Sequence, residues 1–333
     1  MKFSRSIFVL ALGLVLTFSV FAGGSQSRNS NTRTYTLKMS TQLADTSPMV
    51  AGFREWAEAV RQRTNGGLTI EIYTAAQLGS DEDVIEQALQ GVNVAVLTDA
   101  GRMANYVNDI GIVGMAYIAN SYEELTRITE TATFRSWDAL LVREGIRILS
   151  YNWYDGPRNF YTNKVIMTPA DLNGVRIRTP GSPVWARSVA ALGATPVAMG
   201  WNDSYNALQN RAIDGVEAQS SASYPIRIHE VTSIMTKTEH FQLANFIMVG
   251  ERWFSTLPAD YQQILMEECK KASIANAAQI LSVAADFERQ MVAQGLTINT
   301  VDKAPFVTAA ERAYDELNFR AARDRLWAEI GKR

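Results

Sequence analysis

"ADYQQILMEECKKASIANAAQILSVAADFERQMVAQ", residues 259–294, contains neither glycine nor proline. Its composition is helix-forming throughout. At 1.5 Å per residue, an unbroken helix of this length runs roughly 50 Å. That exceeds the diameter of a domain of about 120 residues, so the helix cannot serve one lobe alone. It must cross two lobes, break, or enter a coiled coil. Its apolar positions (Tyr261, Ile264, Leu265, Ile274, Ile280, Leu281, Ala284, Phe287, Met291) hold no a/d heptad, which disfavours the coiled coil. A helix spanning two α/β lobes points to a hinged, two-lobed binding protein.

Upstream, the pattern alternates strand and helix. "YTLKMS" reads as a strand. Ser47-Pro48 then starts a helix, with Ser as N-cap and Pro at the first helical position. Phe53, Trp56, Ala57 and Val60 give that helix one apolar face. "GGLTIEIY" turns into a second strand. The helix in "LGSDEDVIEQALQG" is capped by Ser80, with Asp81 to Asp83 on its positive end, and "VNVAVL" is a third strand. This alternation predicts a parallel or mixed sheet with helices on its faces. Ser121 opens a further helix through a capping box with Glu124. "IRILSY", "RNFYTN", "GVEAQ" and "FIMVG" read as strands, and "SPVWARSVAALG" as a second Ser-Pro helix.

The 333 residues are 47% hydrophobic and 20% charged, with formal net charge −2, a globular composition. No run of Lys or Arg forms a phosphate-tracking patch, so nucleic acid is not an expected partner. At the N-terminus, Lys2 and Arg5 precede an uncharged apolar run from Ile7 to Ala22. Val20 and Ala22 offer the small-residue pattern of a signal peptidase site. Residues 1–22 are therefore expected to be a signal peptide and 23–33 a disordered leader. No cysteine stands near the cleavage site to form a lipobox, so the expected location is periplasmic.

Catalytic chemistry finds little support. His229 and His240 are the only histidines, and Cys269 is the only cysteine. Neither a multi-imidazole metal site nor an internal disulfide is available. Cys269 follows two glutamates, which raise a thiol pKa rather than lower it. There is no G-x-S-x-G, P-loop or G-x-G-x-x-G. Carboxylate pairs such as Glu123-Glu124 fall in helical charge runs and read as solvated faces. No cofactor and no metal are expected.

The stretch "GVRIRTPGSP", residues 174–183, places Arg176 and Arg178 on a short strand that enters a turn. Together with "FREWAEAVRQRTNGGLTIEIYTAAQLGSDEDVIEQALQG", "DLNGVRIRTPGSPVW" and "ALGATPVAMGWNDSYNALQNRAIDGVEAQ", it resembles the solute-binding subunit of tripartite ATP-independent periplasmic (TRAP) transporters. The likeness extends over essentially all of the chain after the leader. It implies an α/β, two-lobed periplasmic-binding-protein fold with hinge strands and one long helix spanning both lobes. The expected division is 34–155 plus 244–283 for the first lobe and 156–243 plus 284–333 for the second.

The resemblance also implies a site. Arg178 corresponds to the arginine that pairs with the ligand carboxylate, and a planar guanidinium suits two parallel hydrogen bonds to it. Arg158, in "DGPRNF", corresponds to a second basic residue that assists. Gln42 and Asp99 stand near polar contacts, and Trp201 corresponds to an aromatic against the ligand. Arg176 is expected to be structural. Ala218 falls where many members carry Asn, which favours a carboxylate with an apolar or aromatic body over a sugar acid. Of Trp153, Tyr154, Trp185 and Trp201, beside the cleft-lining segments, two are expected to be core.

The implied function is capture of an organic acid and its delivery to membrane permease subunits driven by an ion gradient, with the chain acting as a monomer. A ligand-sensing module for a membrane receptor is the second reading, because it needs the same cleft. An exported hydrolase is the third.

Overall fold

The computed structural model describes residues 33–332. The expected signal peptide and all but the last residue of the leader lie outside the described residues. The rest builds one mixed nine-stranded sheet with helices on its faces. The strands are β1 (Tyr35–Ser40), β2 (Leu68–Tyr73), β3 (Val94–Thr98), β4 (Ile146–Thr162), β5 (Arg176–Thr179), β6 (Thr195–Ala198), β7 (Gly215–Ala218), β8 (Ile234–Gly250) and β9 (Thr297–Thr300). Their order is β2-β1-β3-β8-β4-β7-β5-β6, with β9 beside β8.

Two strands, β4 and β8, are 17 residues long and run antiparallel to each other. β8 pairs with β3 only through Phe246–Val249, and with β9 only through Ile234–Lys237. β4 pairs with β7 only through Asn159–Thr162. The middles of the two strands therefore have only each other as ladder partners. The register slips there repeatedly, between Ile148 and Ser150, Ser150 and Trp153, Tyr154 and Gly156, and Arg158 and Phe160. A two-stranded, bulged ribbon bends more readily than a wide sheet. It divides the sheet into a half with β1–β3 and a half with β5–β7, the two lobes of the fold.

This corrects the local reading of the sequence. "IRILSY" and "RNFYTN" are one strand, because Asp155-Gly156-Pro157 does not break the chain. Gly156 takes φ 109°, open to glycine, and absorbs one of the slips. Likewise "FIMVG" is only the end of β8.

The long helix is continuous over Ala259–Ala293. Its first half bonds to the first sheet half: Trp56 Nε1 donates to the Leu265 carbonyl (3.2 Å), Asn276 donates to the Pro48 carbonyl (2.9 Å), and Arg63 pairs with Glu267 and Glu268. Gly52 permits this approach, since a Cβ there would sit 2.7 Å from the Asn276 side chain. Its last third bonds to the second half, through Lys237–Glu288 (2.6 Å) and Tyr224–Gln290 (2.6 Å). Ser273, near the helix middle, bonds Ser150 of β4 (2.9 Å). The last helix, Arg320–Ile330, returns to pack on helices Tyr122–Thr129 and Ala132–Arg143, which precede β4.

Candidate functional site

Loops at the ends of β1, β3, β5 and β6 converge on the bulged ribbon and enclose a cavity. It holds about 580 Å³ of empty space, its mouth included. Its wall carries Gln42, Asp81, Asp99, Arg102, Asp155, Arg158, Arg178, Gln219 and Asn245 beside Leu97, Pro180, Trp185, Trp201 and Leu243. A cavity with convergent polar groups is suited to a small polar ligand.

Arg178 is nearly fully buried on β5. Arg176, two residues earlier and on the same face by strand alternation, has a different environment: it meets Asp214 at the surface (2.9 and 2.8 Å). Arg178 Nε donates to the Met199 carbonyl (3.0 Å), and its guanidinium lies 5.3 Å from the Trp201 ring centroid. Among the described residues its two terminal nitrogens have no hydrogen-bond partner. Burial and the neighbouring Arg158 charge both push its pKa down.

Arg158 lines the same cavity but is fully engaged. Its Nε and one terminal nitrogen form a fork on the Glu217 carboxylate, and the other donates to Gln219 Oε1 (2.8 Å). Gln219 Nε2 in turn donates to Asp155, which also accepts from Ser221 Oγ (2.7 Å). Burial drives the Asp155 pKa up to about 6, against the opposing pull of those two bonds. On the facing wall, Arg102 is ringed by Asp81, Asp99 and Glu82.

Three hydrogen bonds join the two sheet halves across the cavity rim. Gln42 Oε1 accepts from the Trp201 backbone N–H (2.8 Å), Asp99 Oδ1 accepts from Trp185 Nε1 (2.9 Å), and Ser182 Oγ donates to the Gly101 carbonyl (2.7 Å). Gln42 and Asp99 thus hold the walls together, while Trp201 covers Arg178.

Three expected site residues lie elsewhere. Ala218 is fully buried in the apolar core, because alternation along β7 points Glu217 and Gln219, not Ala218, toward the Arg158 side. Trp153 packs edge-on against Phe53 (4.8 Å) and donates to Cys269 Sγ (3.4 Å). Tyr154 lies against Tyr122 and donates to Gln242 (2.6 Å). Trp185 and Trp201 are the two aromatics of the four that reach the cavity. Sequence reading missed Asp81, Arg102, Asp155, Gln219 and Asn245. Asp81 read as a helix-dipole residue. Gln219 was within reach, because fixing Glu217 inward also fixes Gln219. Among the described residues, the Asn245 side-chain amide has no partner.

A cavity lined by a buried guanidinium whose terminal nitrogens are unengaged is suited to hold an anion. The model for bacterial extracellular solute-binding proteins, family 7, matches residues 39–320. The chain belongs to this family. The C4-dicarboxylate-binding periplasmic protein of Rhodobacter capsulatus is 27% identical, over 89% of this chain and 87% of that one. A TRAP periplasmic solute binding protein from Ochrobacterium anthropi, solved with bound L-fuconate, is 29% identical, covers 89% of this chain and 99% of its own, and gives a TM-score of 0.87. One from Escherichia fergusonii, solved apo and open, is 30% identical over 88% and 99%, with a TM-score of 0.78. At nearly equal identity the ligand-bound form is the better match in shape. Three bonds across the rim join the two lobes of this family 7 protein.

Proposed function

We propose that this family 7 protein captures a polyhydroxylated organic acid in the periplasm and delivers it to membrane permease subunits driven by an ion gradient. The observation that carries this reading is Arg178, a buried guanidinium with two terminal nitrogens free to face a carboxylate. A charge-assisted, bidentate bond in a closed cleft is both strong and directional. The related protein that binds L-fuconate supplies the class of ligand. The polar wall supplies the rest: Asp155 and Asn245 offer an acceptor and an amide to hydroxyl groups that would otherwise be left unpaired at roughly 1–3 kcal/mol each. The expectation of an apolar acid rests on Ala218 and on the broad face of Trp201; Ala218 does not line the cavity, and Trp201, which does, lies against the Arg178 guanidinium. Binding, not catalysis, is the proposed role, because His229, His240 and Cys269 all stand outside the cavity wall. The ligand stabilises the closed state by bridging both lobes.

Calorimetric titration with L-fuconate, and with branched 2-oxo acids and aromatic acids at equal concentration, tests the reading. Binding of L-fuconate that is lost in Arg178→Ala is expected. Binding of the apolar acids alone would restore the earlier ligand expectation. Unchanged binding in Arg178→Ala would remove the carboxylate anchor.

A further inference from the structure

Three guanidiniums stand on the cavity wall, and two of them are engaged at every nitrogen. Arg102 donates from Nε to Glu82 (2.8 Å), and its terminal nitrogens pair with Asp99 and with Asp81 (3.1 Å). Arg158 gives Nε and one terminal nitrogen to Glu217 and the other to Gln219. Among the described residues, no lysine or histidine lines the cavity. The terminal nitrogens of Arg178 are thus the whole unengaged cationic capacity of the described wall. One planar guanidinium is matched to one carboxylate.

The rest of the wall is acidic. Asp81, Asp99 and Asp155 line it, and Glu82 and Glu217 stand directly behind, on Arg102 and Arg158, so five carboxyl groups surround three guanidiniums. Asp155 lies on the ribbon strand β4, close to where Trp153 pairs with Asn245 of β8. Asp155 and Asn245 are both more than nine-tenths buried, and both reach the cavity. Each Asp155 oxygen already accepts one hydrogen bond, from Gln219 or from Ser221, and keeps a further lone pair. A ligand hydroxyl can donate to that lone pair and meet the Asn245 amide beside it. A second ligand carboxylate would instead face a buried like charge with no unengaged cation to offset it, which is strongly unfavourable.

We propose that the cavity takes acids with a single carboxylate, and that Asp155 is the specificity-determining residue that accepts hydroxyl groups of the ligand body and excludes a second carboxylate. The proposal rests on the reading of Arg178 as the carboxylate anchor. It sets this chain apart from the C4-dicarboxylate-binding relative.

L-Fuconate, L-galactonate and galactarate share every stereocentre and differ only at the terminal carbon, which is a methyl, a hydroxymethyl and a carboxylate in turn. Calorimetric titration of the protein with each tests the proposal at about pH 8, above the value of about 6 to which burial pushes the Asp155 pKa. L-Fuconate and L-galactonate should bind, and galactarate should bind at least about a hundredfold more weakly than L-galactonate. Asp155→Asn, which removes the charge and keeps an oxygen for Ser221, should narrow that gap at least about tenfold. Should this variant show no cooperative melting transition, Asn245→Lys, which sets a cation beside Asp155, takes its place in the same comparison with the same expected narrowing. Galactarate binding within about threefold of L-galactonate in the parent protein overturns the proposal and leaves the anchor reading intact. So does a gap that the folded variant leaves unchanged. Binding of none of the three acids, or undiminished binding in Arg178→Ala, overturns the anchor reading itself and the proposal with it.

Discussion

Arg158 and Arg178 line one cavity and are buried to nearly the same degree, at 6% and 4% exposure, yet their surroundings are opposite. Arg158 is forked onto Glu217, and burial, which raises a carboxyl pKa, is outweighed there by the arginine charge, so Glu217 stays ionised. Arg178 has a backbone carbonyl, an aromatic ring and another cation for neighbours. One arginine belongs to a closed structural pair. The other is held out of water with its charge unmatched, a strained arrangement that a protein keeps where a ligand supplies the missing charge. The difference separates what holds the hinge ribbon together from what reads the ligand.

The largest effect is expected on the structural side. Arg158→Ala leaves the Glu217 carboxylate buried at 0% exposure without its partner and should destabilise by about 3–5 kcal/mol, as measured by urea denaturation. A loss near zero would mean that the pair is not what stabilises the ribbon. On the other side, Arg178→Ala should lower affinity for L-fuconate by about ten- to a thousand-fold. Arg178→Met should raise the melting temperature of the unliganded protein, because a desolvated charge is replaced by an apolar chain of similar length. If Arg178→Met destabilises the free protein, the residue is structural and the contrast fails.

Between these arginines sits Asp155, whose behaviour sharpens the comparison through pH. Its pKa rises from 3.8 to about 6 in the folded protein, so the native state holds the proton more tightly than the unfolded chain. Its contribution to stability is complete below about pH 4 and is lost as pH rises through about 6. Two pKa units correspond to a difference on the order of 2–3 kcal/mol. Asp155→Asn should remove this component: the stability difference between variant and parent should change across pH 4–7 and level off above. Parallel profiles would show that Gln219 and Ser221 hold the carboxylate ionised throughout.

Much of the fold was legible because its signals are local. The absence of Gly and Pro over 259–294 specified the long helix, and Ser47-Pro48 and Ser80 specified two helix starts. The length of β4 was not legible, because Asp-Gly-Pro is turn chemistry that a paired strand has converted into a bulge. The site divides in the same way. Arg178, Gln42, Asp99 and Trp201 came from the family likeness and lie at the cavity. Ala218 lies off the cavity wall because period-two alternation has two phases, and sequence alone does not say which phase faces the cleft; Trp153 and Tyr154, adjacent and so in opposite phases, both lie off it, packed on Phe53 and Tyr122. In a ribbon with four register slips the phase also changes along the strand. Asp81 and Arg102 form a charge cluster from separate elements, and nothing in either element announces the other.

The smallest effect is expected at Arg176, two residues from Arg178 on the same strand. Its side chain is 42% exposed, and that of its partner Asp214 is 39% exposed. The pair has good bidentate geometry, but water screens it, and exposed pairs of this kind contribute roughly 0.2–1 kcal/mol. Asp214 also accepts from the Arg176 backbone N–H (2.9 Å), a bond that survives truncation of the side chain. Arg176→Ala should therefore shift the urea midpoint only slightly, with less effect at high salt, and should leave the L-fuconate dissociation constant within about twofold of the parent. Titrating Arg176→Ala and Arg178→Ala side by side gives the sharpest form of the comparison. Both changes remove a guanidinium from one four-residue strand, so a shared electrostatic effect on the ligand would weaken binding in both. Loss confined to Arg178→Ala leaves direct contact in the cavity as the cause.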